Sequence, residues 1–470
     1  MKLIKVAPYF IIVIILAAAF YLRATGSSTI PYPGESMDEY SFAWLGLSLI
    51  EIGIPVATSG IPGYKNTNFH YINVDQVFRG TAKGNPFPIN YPWFDHPPLL
   101  GLITGGYAYL NGVTVFEDTR VTFIRKPMIA IGIFSILLLF VFIKKIFGIK
   151  EAITASLIYA SSPLAIISSR MVQAENLLIP IFLASLITTY FFLEKKKTWL
   201  LYLAGIIAGI ALLVKLSGLA IILSNIFLIL YFSPGGIKKS IPSAITFAVV
   251  SLSFLIFFIS YGFAYDINQF LDILISNSHR TYSVGPQAFF ELLTTTRITA
   301  QKYFTDGFIL SGWIASILLF IIPSENRKKE MFLLIPLVCY LIIFLLFGSE
   351  TYGWYRFPFL PFLFAAIARI LVLTLKNPNL MIPSFLILLL PIGIDLSKII
   401  SIENFQSYSG IWRWGLTGSI IFLLLTYLKL DSKFVKKIVP VILISLFILA
   451  IYLNLEYFWK LTPEYWQSAT

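Results

Sequence analysis

Charge is what this chain has least of. Only 12% of its 470 residues are Asp, Glu, Lys or Arg, against 57% hydrophobic residues, and its mean hydropathy is +0.82. No soluble domain of this size carries so much apolar surface with so little charge. Cysteine is nearly absent too. The one present, Cys339, lies inside the apolar run "FLLIPLVCYLIIFLLF", so no disulfide forms within the chain and cysteine says nothing about redox compartment. The three histidines are spread apart, which argues against a histidine-based metal centre. A Gly-rich phosphate loop, a Cys/His zinc cluster and a Gly-x-Ser-x-Gly elbow are all missing. So are the alternating short segments of a β-barrel, low-complexity tracts and internal repeats. The chain reads as one membrane domain, residues 1–470, with no soluble domain appended.

What is present is a series of apolar runs near membrane-spanning length, from end to end, which marks an all-α polytopic membrane protein. The formal net charge is +12. Its Lys and Arg collect in short runs between apolar segments: "KKIFGIK" (Lys144–Lys150), "EKKK" (Glu194–Lys197), Lys238 with Lys239, "ENRKKE" (Glu325–Glu330) and "KLDSKFVKK" (Lys429–Lys437). Such runs fix orientation against the cytoplasmic face, so the excess reports topology and not a nucleic-acid partner. Placing every run in the cytoplasm gives about 13 transmembrane helices, with the carboxyl terminus outside. The first, from Lys5 to Leu22, is read as uncleaved, because Tyr21–Leu22–Arg23 is a poor small-residue cleavage site. Two outer loops are then large, 23–125 and 265–307. The stretch "PPLLGLITGGYAYLNGV" (Pro97–Val113) is short and holds four glycines. Counted as a span it would put later basic runs on the wrong side, so it is expected to be juxtamembrane or re-entrant.

Polar residues of note crowd the outer side. In "PYPGESMDEYSFAWLGLSLIEIG", Ser36 to Glu39 fits a capping box, with Glu39 reaching back to Ser36. The following helix is expected to end near Gly53 and is too short to span. Capping accounts for Glu39 but not for a second acid, Asp38, beside it. The amide groups at a helix start also favour an ionised carboxylate. In "NYPWFDHPPLLG", Asp95 and His96 precede two prolines, which forbid helix before them and hold those side chains in place. Further charges lie at helix ends on the same face: Arg170 and Glu175, which are close enough in sequence to pair, Lys215, His279 with Arg280, and Arg356 beside Tyr355. Any one could snorkel or pair. Together, cations around ionised acids suggest an anionic ligand, and guanidinium suits phosphate. A carboxylate-held Mg²⁺ or Mn²⁺ stays open, with Asp38 and Glu39 as its ligands.

This order of features resembles the protein O-mannosyltransferase and aminoarabinose-transferase superfamily of C-type membrane glycosyltransferases. The resemblance rests on the Asp-Glu pair opening a long outer loop, "HPPL" closing it, and the later stretches "RKPMIAIGIFSILLLFVFIKKIFG", "YASSPLAIISSRMVQAENLLIPIFLAS", "GIIAGIALLVKLSGLAII" and "WYRFPFLPFLFAAIAR". It covers roughly residues 1–369. It implies a C-type fold and a polyprenyl-phosphate sugar donor, with no cofactor required. Asp38 then corresponds to the general base that acts on an acceptor hydroxyl while the sugar inverts. His96, oriented by Asp95, would face the donor phosphate together with Lys215, Arg280, Tyr355 and Arg356. Loop 265–307 is too short for the folded insertion of the protein mannosyltransferases, and a histidine stands where the aminoarabinose enzymes have lysine. A lipid or glycan acceptor is therefore expected over protein. Two other readings stay open: a lipid or ion transporter or flippase, and an oligosaccharyltransferase-like enzyme. Transporters usually carry mid-membrane charges and internal repeats, whereas oligosaccharyltransferases carry a Trp-Trp-Asp signature that this chain lacks.

Overall fold

The computed structural model describes residues 2–36, 38–64, 72–73, 86–87, 89–232, 236–278, 285–294, 298, 304, 306–322, 324, 326–346, 353–429, 432–463 and 466. Among them the chain is helical almost throughout. The helices are α1 (Lys2–Ala24), α2 (Asp38–Glu51), α3 (Leu99–Leu110), α4 (Val121–Ile146), α5 (Ile149–Ser161), α6 (Pro163–Ser168), α7 (Ala174–Lys195), α8 (Thr198–Ile210), α9 (Leu219–Tyr231) and α10 (Ile237–Leu252). They continue as α11 (Phe254–Tyr265), α12 (Ile267–Ser278), α13 (Pro286–Thr294), α14 (Gly307–Ile321), α15 (Arg327–Leu346), α16 (Leu360–Lys376), α17 (Met381–Ile399), α18 (Ile402–Ser407), α19 (Ser409–Leu428) and α20 (Lys433–Lys460). A two-residue antiparallel pairing of Ile72–Asn73 with Pro86–Phe87 is the sole ladder among the described residues.

Among the described residues eight segments are helical, long and apolar enough to cross a bilayer, including Val121–Ile146 and Lys433–Lys460. Shorter apolar helices, among them Thr198–Leu213, Leu216–Tyr231 and Gly307–Ile321, lie between these, and the number of 13 expected from the basic runs is not reached by the long helices alone. The basic residues sit at helix ends as the charge pattern predicts. Lys144 and Lys145 close α4, Lys195 closes α7, Lys376 closes α16, and Arg327 opens α15. At this lysine-rich end Arg369 of α16 donates to Glu151 of α5 (3.1 Å) and to Glu330 of α15 (3.3 Å), and all three side chains are buried. One guanidinium thus joins three helices.

At the opposite end the first loop folds onto the bundle. The α2 helix ends near Gly53, whose φ of +68° is the left-handed conformation a helix-ending glycine adopts. α3 begins directly after Pro97 and Pro98, with Pro98 as its N-cap, because neither proline nitrogen can donate a helical hydrogen bond. Its 12 residues span about 18 Å, well short of an apolar core of about 30 Å. α3 packs between α2 and α4.

The α2–α3 crossing needs glycine. Gly101 and Gly105, four residues apart, share one face of α3 and let the two backbones touch. A Cβ on Gly46 would lie 1.8 Å from Gly101 O, and one on Gly105 would lie 2.4 Å from Ala43 O. Gly106, by contrast, has only Ile50 Cδ1 at 3.5 Å. Gly46→Leu is therefore expected to lower Tm by about 5 °C or more, while Gly106→Ala leaves it nearly unchanged. Thermal unfolding of the two variants in detergent checks this.

Candidate active site

The segment between α1 and α2 carries no regular structure, so its carbonyls need donors. Two buried arginines from other elements supply several of them, and a third, Arg23 at the end of α1, binds the end of α5 instead. Arg125, at the start of α4, donates Nη1 to Ser27 O (2.7 Å) and Pro31 O (2.9 Å). Arg170, in the turn before α7, donates to Leu22 O (2.5 Å), Thr25 O (2.5 Å) and Ile30 O (3.1 Å). Arg23 itself reaches back to Tyr159 O (2.9 Å) and Ala160 O (3.2 Å) at the end of α5.

This scaffold decides the fate of the two adjacent acids. Glu39 does not close a capping box on Ser36. Its carboxylate takes Arg125 Nε (2.9 Å) and Nη2 (2.7 Å) in a bidentate pair, and Oε1 also accepts from Val172 N (3.0 Å). Both side chains are 1% exposed. The cap expected from sequence fails because a buried guanidinium needs a charged partner more than a helix start needs a second cap. Ser36 Oγ instead accepts from Gln173 Nε2 (2.5 Å). Asp38, in the first turn of α2, is only partly buried. Burial, with Glu39's charge as a lesser cause, raises the pKa of the neighbouring Tyr40 phenol.

His96 comes to the same face of α2. Its ring stacks on Phe42 with centroids 5.2 Å apart and meets Trp93 edge-on at 6.0 Å. Phe42 follows Asp38 by four residues, so both project from one side of the helix. Asp95 is held by donors that the sequence reading missed: Ser59 Oγ at 2.5 Å and Tyr64 OH at 2.6 Å. The Tyr64 hydroxyl accepts in turn from Phe94 N (2.8 Å). Burial, and then the Asp95 charge, push its pKa well above the ordinary value, so it stays a donor. Asn277 of α12 reaches Asp95 O (3.3 Å). Arg280 and His279 lie outside the described residues.

The remaining candidates meet at the start of α7. Arg170 and Glu175 do not pair. The turn between them sends Arg170 to the loop carbonyls and over the Phe458 ring (5.4 Å), and Glu175 to Lys215. The Lys215 ammonium also sits 3.9 Å from the Tyr355 ring centroid, an arrangement that favours a cation with little water around it. Tyr340 OH holds Tyr355 O (2.9 Å). Arg356, next in the chain, is 7% exposed in the turn before α16. The two groups of candidates are joined through one bend. Val172 touches Glu39, Gln173 touches Ser36, and Glu175, two residues on, holds Lys215. Among the described residues no group of three or more His, Cys, Asp or Glu converges as a metal site.

Removing one member of the Glu39–Arg125 pair strands the other in a buried site, at a cost of about 3–5 kcal/mol. Glu39→Gln and Arg125→Leu are each expected to lower Tm sharply, and the double variant to lower it by less than the sum. Thermal unfolding of the cycle checks this.

The sequence of residues 95–261 matches the family described as dolichyl-phosphate-mannose-protein mannosyltransferase. No curated protein matches the chain. Among solved structures the chain is similar to ArnT from Cupriavidus metallidurans bound to undecaprenyl phosphate. That match has a TM-score of 0.51 and 13% identity, and covers 95% of this chain and 77% of that one. The apo oligosaccharyltransferase of Archaeoglobus fulgidus aligns with a TM-score of 0.47 at 13% identity, over 96% of this chain and 56% of that one. The chain thus shares the fold of that ArnT over nearly its whole length and the sequence pattern of the mannosyltransferase family over residues 95–261, on helices long and apolar enough to cross a membrane several times.

Proposed function

We propose that the chain transfers a sugar, of the mannose type or a close relative, from a polyprenyl-phosphate donor to an acceptor hydroxyl, with inversion at the anomeric carbon. The observation that carries this reading is the division of labour between two adjacent acids. Glu39 is committed to Arg125 and Val172 N, whereas Asp38 is the partly exposed carboxylate of the pair, on the same helix face as the stacked His96. The family match and the fold shared with a protein solved with undecaprenyl phosphate support the donor class.

In this reading Asp38 takes the acceptor proton as the acceptor oxygen bonds to the anomeric carbon. On the opposite face the bond from that carbon to the phosphate oxygen breaks, and polyprenyl phosphate leaves. Arg356, Arg280 and His96 offset the charge of the departing phosphate, with Tyr355 as a neutral donor. Lys215, shared with Glu175, contributes its remaining N–H donors and little net charge. The leaving group is already a phosphate ester, so the step needs no cofactor. A divalent ion, if one takes part, falls to Asp38, because both oxygens of Glu39 are engaged. The short 265–307 stretch favours a lipid or glycan acceptor over a protein. In this reading the lysine-rich helix ends face the cytoplasm of a plasma-membrane protein and the acids face the other side, a reading that the basic runs support.

The test is sugar release from synthetic polyprenyl-phosphate mannose by purified protein, wild type beside Asp38→Asn. A positioned base contributes about 10²–10⁴-fold, and a loss of that size is expected. Equal activity would make Asp38 a helix-start residue only. A wild type that binds the lipid yet consumes no lipid-phosphate sugar would favour a transporter. Sidedness is read separately: on a Cys339→Ser background, a cysteine at Pro33 should react with an impermeant maleimide on intact cells and one at Lys239 should not.

A further inference from the structure

Four helical elements converge where α14 begins. Phe304 stacks on Tyr457 of α20, with centroids 5.4 Å apart and planes 21° apart. Gly307 lies against α17, where a Cβ would stand 2.2 Å from Pro391 Cα, and Ser311 Oγ donates to Ile387 O (2.8 Å). These contacts set an antiparallel register, in which the residues before Gly307 run from Pro391 toward Asp395, one turn along α17. α20 packs on α17 and ends beside it, with Lys460 Nζ donating to Ile399 O (2.6 Å). Asp395 therefore lies about one turn below the end of α17. Asn454 lies at a similar depth on α20, one turn below Tyr457 and on its face.

Asp306, Asp395 and Asn454 are 2%, 0% and 0% exposed. Asp306 is well supplied: Oδ2 accepts from Ser162 Oγ (2.6 Å) and Leu164 N (3.3 Å), and Oδ1 from Phe308 N (2.9 Å). Asp395 is not. Neither of its oxygens, and neither amide atom of Asn454, has a hydrogen-bond partner among the described residues. Asp395 stands one turn beyond Pro391, against which Gly307 packs, and so on the face of α17 turned toward Asp306. Buried polar atoms are almost always satisfied, and two acids that share a dry site without a cation are especially unfavourable. Two carboxylates and an amide oxygen, buried between helices, are the donor chemistry of a hard divalent ion.

We propose that Asp395, Asp306 and the Asn454 side-chain oxygen bind one divalent cation of the calcium or magnesium class, which clamps α17 and α20 to the start of α14. The site uses none of the candidate active-site residues and does not depend on the transfer reading. Ca²⁺ fits better than Mg²⁺, because it accepts irregular sets of oxygens while Mg²⁺ demands near-octahedral ones.

The experiment is equilibrium dialysis of chelator-treated, purified full-length protein against Ca²⁺ or Mg²⁺, with elemental analysis and Tm read on the same samples. The expected result is one ion per chain and a Tm that climbs with ion concentration. Asp395→Asn should weaken binding about tenfold or more, and Asn454→Asp, which adds a carboxylate, should tighten it. If Asp395→Asn does not fold, Asn454→Asp decides alone: tighter binding supports the site and unchanged binding overturns it. A wild type that binds neither ion also overturns it, and an Asp395→Asn Tm unchanged or raised in that case assigns a proton to Asp395. Ion binding equal in wild type and both variants places the ion elsewhere and overturns it too.

Discussion

Three guanidinium groups, buried where an apolar bundle meets an irregular loop, are the condition on which the rest of this end of the molecule depends. A loop cannot lie on a bundle top unless its carbonyls find donors, and side chains made of hydrocarbon provide none. Arg125 and Arg170 provide them, while Arg23 ties the end of α1 to the end of α5; all three are buried and each spreads several N–H groups over backbone oxygens. A planar fork with five donors suits this task better than an ammonium. A buried charge still requires neutralisation, and for Arg125 it comes from Glu39. The first turn of α2 is thereby fixed in place, and Asp38 with it.

Much of this was legible in the sequence, for reasons that differ from element to element. Lysine runs marked helix ends because charge avoids apolar surroundings, and Lys144, Lys195 and Lys376 stand at such ends. Pro97 and Pro98 marked the start of α3 because they cannot lie inside it. What stayed hidden was the choice among partners. Glu39 had a local role available in the capping box and took a distant one, 86 residues away. Arg170 and Glu175 sit five residues apart, yet the bend between them sends their side chains to different helices. Sequence separation states which contacts are cheap to form, not which are needed once water is gone. Ser59 and Tyr64 carried no signal at all, since a hydroxyl in a loop gives no sign of the carboxylate it will meet.

The charged groups of the two ends are used differently. At the lysine-rich end, Arg369 sits between two carboxylates and serves packing, holding α5, α15 and α16 together. At the other end the pairs are offset along one surface: Glu39 with Arg125, Glu175 with Lys215, and Asp95 with two hydroxyls. Glu39 and Asp95 each fix a neighbour in the chain, Asp38 and His96, and the Glu175–Lys215 pair sets its ammonium against the distant Tyr355 ring. Ionic groups that are themselves saturated thus act as the frame for others that are more exposed.

The hydrogen bond from Trp466 Nε1 to Glu35 Oε1, 2.7 Å long, joins positions 431 residues apart. Trp466 is buried and its ring lies beside Phe304, which is stacked on Tyr457. The loop leading into Asp38 is thus seated by a residue made 431 positions after it. A nascent chain that has not yet reached Trp466 has the acid but not the contact that seats the preceding turn. Order of synthesis therefore ties the finishing of this surface to a helix far downstream, so that a partly inserted chain presents an unfinished site.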